Sequence, residues 1–203
     1  MRQVKATNIT KHKRMISSFD IENRNGHKGC VVWLTGLSAA GKSTIAVQAE
    51  KMLFDMGYNV YLLDGDNIRH SINKDLGFSP EDREENIRRI SEVARLFRNA
   101  GHIVLNAFIS PYRSDRDQAR ELVEPGRFCE VYVKCSVDEC KRRDPKGLYE
   151  KAMLGQIKEF TGVSAPYEEP LNPELVIDTE HNTIDDSVDM LIRKLREMRI
   201  IKP

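Results

Sequence analysis

The sequence predicts an α/β domain whose sheet is parallel and covered by helices on both faces. Three observations carry that reading. Apolar runs of strand length recur at residues 30–35, 59–64, 102–109, 128–135 and 175–177. Between them, apolar residues fall at helical spacing, as in Ile87, Ile90, Val93, Ala94 and Phe97. The first run also empties directly into a glycine-bearing loop that opens a helix, VVWLTGLSAAGKSTIA over residues 31–46.

That loop, Gly36-Leu37-Ser38-Ala39-Ala40-Gly41-Lys42-Ser43, matches G-x-x-x-x-G-K-[ST]. A buried strand delivers the chain to a tight turn whose backbone N–H groups converge on an anion. The helix that follows turns the positive end of its dipole to the same place. Lys42 is expected to reach the β- and γ-phosphates of a nucleotide, with the Ser43 hydroxyl on Mg²⁺. The predicted architecture is therefore a three-layer P-loop NTPase fold with a five-stranded parallel sheet.

Taken in order, residues 1–28 are polar and basic without a sustained period, and read as an N-terminal arm with at most a short strand or turn. Residues 29–203 form the P-loop domain. The first helix presents Ile45, Ala49, Met52, Leu53 and Met56 on one face and stops at Gly57. The second strand, NVYLLD, opens into Gly65-Asp66-Asn67. Ser79-Pro80-Glu81-Asp82 reads as a helix start, with an N-cap serine, proline at the first helical position and acids in the first turn. That helix runs to Gly101, the third strand breaks at Ser110-Pro111, and a charged helix spans 114–124. Pro125-Gly126 turns the chain into the fourth strand, which a short helix follows at 137–143. Residues 144–170, rich in Lys, Gly, Pro and polar groups, read as a mobile lid, helical in part and outside the core. The last helix, 184–199, buries Ile184, Val188, Leu191, Ile192 and Leu195.

Composition excludes several function classes. Of 203 residues, 32 are Lys or Arg and 31 are Asp or Glu, so no general affinity for nucleic acid or a membrane surface is expected. No stretch nears the ~18 apolar residues of a membrane span, and the N-terminus lacks the apolar centre of a secretory signal. The four cysteines (Cys30, Cys129, Cys135, Cys140) make no C-x-x-C pair and do not cluster with the histidines. They are expected to be reduced packing residues of a cytoplasmic protein rather than zinc ligands.

Ligands of open parallel sheets bind at the carboxyl ends of the strands. The phosphate loop, residues 64–69 and residues 110–113 should therefore face one cleft. Asp64-Gly65-Asp66-Asn67-Ile68-Arg69 brings two carboxylates, a carboxamide and a guanidinium to its mouth. Phosphoryl transfer to an alcohol needs a carboxylate that orients the hydroxyl and takes its proton. Asp64, at the strand end, is the expected base, and Asp66 would contact the acceptor or the metal's water shell. A turn with Asx capping is the structural alternative for the same residues. Arg83 and Asn86 share a helix face and offer two groups to one ligand, while Glu84–Arg88 and Glu85–Arg89 read as solvated ion pairs. In the lid, Arg143, Lys146 and Phe160 stand out as a cationic and aromatic cover that excludes water during transfer. A guanine-specific switch is disfavoured, because Asn73-Lys74-Asp75-Leu76 fails the fourth position of N-K-x-D and follows the second strand.

GLSAAGKST, LLDGDNIRHSINKDLGFSPEDREENIRRISEVARLF, AFISPYRSDRDQAR, RRDPKGLYEKA and IKEFTGVSAPYEEPLNPEL together resemble the adenylyl-sulfate kinase family, in order, over residues 6–200. The resemblance implies transfer of the γ-phosphate of MgATP to the 3′-hydroxyl of adenosine 5′-phosphosulfate, giving 3′-phosphoadenylyl sulfate for sulfate assimilation. It implies a homodimer, and an ATP sulfurylase as a possible pathway partner. By that resemblance Gly36, Leu37, Ser38, Ala39, Ala40, Gly41, Lys42, Ser43 and Thr44 bind ATP phosphates and Mg²⁺, and Arg143 closes on ATP from the lid. Asp64 is the base toward the 3′-hydroxyl. Asp66, Asn67, Arg69, Arg83, Asn86, Ile109, Ser110 and Lys146 hold the sulfonucleotide, and Phe78 and Phe160 sandwich its adenine. Ser110 is the family's phosphoserine position, although direct in-line transfer needs no covalent step and leaves it a hydrogen-bonding role. The chain departs from the family in two places. Ala39 replaces a usual glycine, which would strain the loop if φ is positive there, and Asn106-Ala107 stands before Phe108, where Asn106 could alter cleft contacts. The alternatives at this stage are a nucleotide-binding regulator with weak or no transfer, and another small-molecule P-loop kinase.

Overall fold

The computed structural model describes residues 6–10 and 12–203. Its elements are α1 (Ser18–Asn25), β1 (Cys30–Thr35), α2 (Lys42–Asp55), β2 (Val60–Asp64), α3 (Gly65–Arg69), α4 (Pro80–Asn99), β3 (Ile103–Ala107), α5 (Arg113–Glu121), β4 (Phe128–Lys134), α6 (Val137–Arg143), α7 (Leu148–Met153), β5 (Leu175–Asp178) and α8 (Ile184–Glu197). The five strands form one parallel sheet in the order β2-β3-β1-β4-β5.

The central strand explains the layering. All six residues of β1 are buried, and alternate side chains enter different cores. Cys30, Val32 and Leu34 pack with α2 and α8 through Ile45, Ala49, Leu53, Val188, Leu191 and Leu195. Val31 and Trp33 pack with α4 and α5 through Ile87, Ile90, Ala94 and Ala119. Trp33 stacks with Phe108 at 6.2 Å and with Phe128 at 6.0 Å. The strand register carries the site: Leu34 pairs with Ala107, and Ala107 pairs with Asp64. Asp64 thus ends its strand level with the residue two before the phosphate loop.

Helix starts follow the expected chemistry. The Ser79 hydroxyl accepts the Asp82 N–H at 3.1 Å with Pro80 at the first helical position. Thr183 and Asp186 form a reciprocal capping box at α8.

Three expectations are corrected. The arm over residues 1–28 contains a helix, α1, started by a capping box of Ser17 and Asp20; positions 1–5 and 11 of the arm lie outside the described residues. Glu22 docks this helix onto Arg127 at 2.9 Å, and Ile21 is its one buried residue. The lid is not outside the core: Tyr149, Ala152 and Phe160 belong to the larger apolar cluster, and Tyr149 meets Phe160 edge-to-face at 4.9 Å. The buried faces of α2 and α8 are each one residue narrower than expected: Met56 caps α2 and Ile184 opens α8, and both are exposed.

Candidate active site

The phosphate loop has the shape its residues demand. A Cβ on Gly36 would lie 2.4 Å from the Val133 carbonyl oxygen of β4, so only glycine fits there. Ala39 sits at φ +62°, in the left-handed region, so the strain anticipated for a non-glycine residue is present. Lys42 is buried inside the loop, where its ammonium donates to the Gly36 carbonyl at 3.0 Å and the Leu37 carbonyl at 2.7 Å. Burial pushes its pKa down from 10.5 to about 8, against the pull of Asp64 and Asp66.

Asp64 joins the two halves of the cleft. Its Oδ2 accepts the Ser43 hydroxyl at 2.7 Å, and its Oδ1 accepts the Asp66 N–H at 3.0 Å as the N-cap of α3. The Asx-capping alternative is thus realised by Oδ1, while Oδ2 faces the phosphate-loop side of the cleft, where a base would have to stand. The Ser43 and Asp64 oxygens suit a hard cation. Among the described residues no group of three or more His, Cys, Asp or Glu could hold a metal ion. A Mg²⁺ held here would lean on Ser43, substrate phosphate and water, which matches the sparse protein coordination Mg²⁺ accepts.

The side of the cleft built by α3 and the start of α4 is cross-linked to residues 146–161. Lys146 makes an ion pair with Asp66. Arg83 donates to the Phe78 carbonyl at 2.9 Å, the Thr161 hydroxyl at 2.9 Å and the Glu159 carbonyl at 2.7 Å. It thereby ties the backbone of Phe78 to the residues flanking Phe160. The Arg69 guanidinium holds the Leu76 and Gly77 carbonyls and lies 4.3 Å over the Phe78 ring. Phe78 is 60% exposed, whereas Phe160 is only 8% exposed and packs on Tyr149. Asn67 is exposed on α3.

Arg83 and Asn86 go to different partners despite sharing a helix face. Asn86 is buried and accepts the Asn73 amide at 2.9 Å. Arg88 pairs with Glu85 rather than Glu84, and Arg89 bridges Glu85 and Asp75.

Ser110 lies 2% exposed at φ +40°. Its hydroxyl accepts the Trp33 indole N–H at 3.0 Å. The Ser110 hydroxyl is therefore buried and engaged by Trp33, and the Ile109–Ser110 backbone follows directly on the end of β3. The Ile109 carbonyl accepts the Thr35 hydroxyl at 2.8 Å, which fixes this turn to the root of the phosphate loop. Asn106 is buried within the sheet, where its amide donates to Val104 at 3.2 Å and Val32 at 3.4 Å, so it does not reach the cleft as expected.

Thr179 and Asn182 escaped the sequence reading; with the expected Ala39, Gly41, Thr44 and Arg143 they line a cavity of about 380 Å³ beside the phosphate loop. Arg143 stands in its wall: it ends α6 and donates to the Thr179 hydroxyl at 3.0 Å and carbonyl at 2.7 Å. Thr179 in turn donates to the Ala40 carbonyl at 2.9 Å. Asp144 accepts the N–H groups of Leu148, Tyr149 and Glu150 and so anchors α7. The Tyr149 hydroxyl donates to the Ser38 carbonyl at 3.1 Å, joining lid and phosphate loop. RDPKGLY carries these anchors, but nothing in their spacing marks them.

Comparison with known proteins identifies the family. Residues 28–178 match the family model described as Adenylylsulphate kinase. The chain is 57% identical over 196 residues to the adenylyl-sulfate kinase of Staphylococcus epidermidis, covering 97% of this chain and 98% of that one. The structure of the Mycobacterium tuberculosis APS kinase CysC in complex with AMPPNP and APS superposes with a TM-score of 0.80 at 44% identity, covering 84% of this chain and 99% of that chain. The hexameric APS kinase from Thiobacillus denitrificans gives a TM-score of 0.66 at 31% identity, covering 91% of this chain and 32% of that longer chain. On the family match and the whole-length likeness to its relatives, the chain belongs to the adenylylsulphate kinase family.

Proposed function

We propose that this chain transfers the γ-phosphoryl group of ATP to the 3′-hydroxyl of adenosine 5′-phosphosulfate, with the residues of the cleft in the following roles. The hydroxyl oxygen bonds the γ-phosphorus while the bond to the β,γ-bridging oxygen breaks. ADP leaves, and the hydroxyl proton passes to Asp64. The observation that carries this reading is the 2.7 Å contact between Ser43 and Asp64, which sets the phosphate loop beside the carboxylate of the acceptor side.

Lys42 and the loop N–H groups take the charge that develops on the phosphates. Arg143, Thr179 and Asn182 wall the space for the ATP base. Asp66, Asn67, Arg69, Arg83, Asn86, Lys146 and the Ile109–Ser110 turn receive the sulfonucleotide, whose adenine stacks on Phe78. Phe160 is buried against Tyr149 and contributes an edge or a backing surface rather than a free second plane. Ser43 would hold Mg²⁺, which would supply neutralisation of the phosphate charge. Tyr149, Asp144 and Arg83 hold the lid over the reacting groups and exclude water.

A homodimer is part of the proposal; the relative from Thiobacillus denitrificans is named as hexameric, which supports self-association without fixing the number of copies. A cytoplasmic location is supported by four buried free cysteines, and among the described residues no helix is long and apolar enough to cross a membrane. An ATP sulfurylase is the proposed pathway partner, because it supplies the acceptor. The comparisons do not favour the weak-transfer regulator or a different small-molecule kinase. Coupled ADP release tests the reading: adenylyl sulfate should be the preferred acceptor, and preference for AMP, shikimate or a nucleoside would reject it.

A further inference from the structure

Arg116 sits on α5 and is 2% exposed, among the largest fully buried side chains of the described residues. Its guanidinium addresses three separate parts of the chain. Nε donates to Glu130 Oε1 on β4 at 2.7 Å, one terminal nitrogen donates to the Ser110 carbonyl at 2.7 Å, and the other donates to the Glu168 carbonyl at 2.7 Å. Glu130 is held in turn, since its backbone N–H donates to Glu174, and Arg120 chelates Glu174 at 2.6 and 2.8 Å. A planar fork with fixed donors suits such a three-way junction, which a lysine cannot reproduce.

What the junction connects gives it meaning. Ser110 is a non-glycine residue at φ +40°, so its turn needs outside restraint. That restraint comes from Arg116 on its carbonyl and Trp33 on its hydroxyl. Residues 167–169 form the return of the lid, and they are pinned to the same turn. The Glu168 N–H donates to the Pro111 carbonyl at 2.9 Å, and Glu168 Oε2 accepts the Arg113 N–H at 2.8 Å. The Thr35 hydroxyl, at the root of the phosphate loop, reaches the Ile109 carbonyl at 2.8 Å and shares a hydrogen bond with the Tyr167 hydroxyl at 3.0 Å.

We propose that Arg116, with Tyr167, is a positioning residue that sets the Ile109–Ser110 turn and the lid return against the phosphate loop, so that it governs acceptor alignment rather than ATP affinity. This rests on the acceptor role given to that turn above. The ATP side has its own supports in Lys42, Thr179 and Arg143, none of which touches the junction.

The test uses the full chain and its Arg116→Lys variant. Steady-state kinetics with adenylyl sulfate are read beside calorimetric binding of a non-hydrolysable ATP analogue. The proposal expects kcat/KM for the acceptor to fall about 30-fold or more while analogue Kd stays within about threefold. Tyr167→Phe keeps the ring and removes only the hydroxyl. It should show the same split at three- to tenfold, and it decides the matter if the lysine variant does not fold. Equal losses on both substrates would mean a merely structural role and overturn the proposal, as would acceptor kinetics unchanged in both variants. Failure of the unmodified chain to phosphorylate adenylyl sulfate would instead sink the functional reading itself.

Discussion

Replacing Asp64 by Asn separates chemistry from folding more cleanly than any other single change in this cleft. The carboxylate has two partners: Oδ1 caps α3 through the Asp66 N–H at 3.0 Å, and Oδ2 accepts the Ser43 hydroxyl at 2.7 Å. Asparagine keeps an acceptor for the cap, and it ranks with aspartate at N-caps. Its amide can donate to Ser43, whose hydroxyl rotates to accept. The lost charge at the helix start costs roughly 0.3–1 kcal/mol, so fold stability should change by no more than about 1 kcal/mol. Turnover should suffer far more, because general-base assistance contributes typically 10²–10⁴-fold, or about 2.7–5.5 kcal/mol. The assay is ADP release at saturating ATP and adenylyl sulfate, beside analogue binding and urea unfolding of the same preparation. An equal fall in kcat and kcat/KM marks a contact made only in the transition state. Asp64→Ala serves as the contrast, since it also removes the cap and should lose about 1 kcal/mol of stability. Turnover of Asp64→Asn within tenfold of the parent would refute the base assignment and shift attention to Asp66.

Ala39→Gly should relieve the left-handed backbone at φ +62°; strain of about 1–2 kcal/mol less an unfolded-state entropy term of about 0.4–1 kcal/mol leaves a small gain, read as a rise of a few degrees in Tm, and a fall in Tm would contradict it. Phe78→Ala, at an exposed ring, should leave stability within about 1 kcal/mol yet weaken acceptor binding by the roughly 1–3 kcal/mol of a base stack, whereas Phe160→Ala, at a buried one, should cost about 3–5 kcal/mol of stability; the reverse pattern in paired unfolding and binding measurements would overturn the placement of the two rings. His27 is buried, accepts the Asn59 N–H at Nε2 and faces the Lys28 carbonyl with Nδ1, so it is held neutral and burial lowers its pKa below 6.5. The unfolded chain therefore binds the proton first, and stability should fall as pH drops below about 6.5 by up to about 1.4 kcal/mol per unit. Urea midpoints at pH 7.5 and 5.5 should show a shallower decline in His27→Gln, and an identical decline would exclude His27 as a contributor.

The parts of the fold that were legible in the sequence are those where one local signal suffices. Strand β1 announces itself because a central parallel strand is buried on both faces and must be apolar throughout. Ser79-Pro80 announces its helix by capping chemistry. The phosphate loop is legible because its glycines answer to backbone crowding at Gly36 and its lysine and serine to phosphate and cation. Helix α1 was missed because it buries only Ile21, and its capping box uses Asp20 instead of the usual glutamate or glutamine. The lid looked peripheral because its polar composition hides Tyr149 and Phe160, whose burial depends on elements more than a hundred residues earlier in the chain. Arg83 and Asn86 show the limit of helical periodicity: a shared face does not ensure a shared partner when one side chain is long enough to reach the lid. The Thr179 wall and the Arg116 junction were invisible for the same reason. Each is a meeting of single polar residues from distant loops, and only the folded chain brings them together.

The central claim is that the phosphate loop and Asp64 bring one particular sugar hydroxyl in line with the γ-phosphate. It is tested most directly by phosphorus NMR of the product formed from ATP and adenylyl sulfate. The account predicts a single new phosphomonoester coupled to the ribose 3′ proton, with ADP formed in equal amount. A 2′ ester, a mixture of the two, or inorganic phosphate without any ester would contradict it.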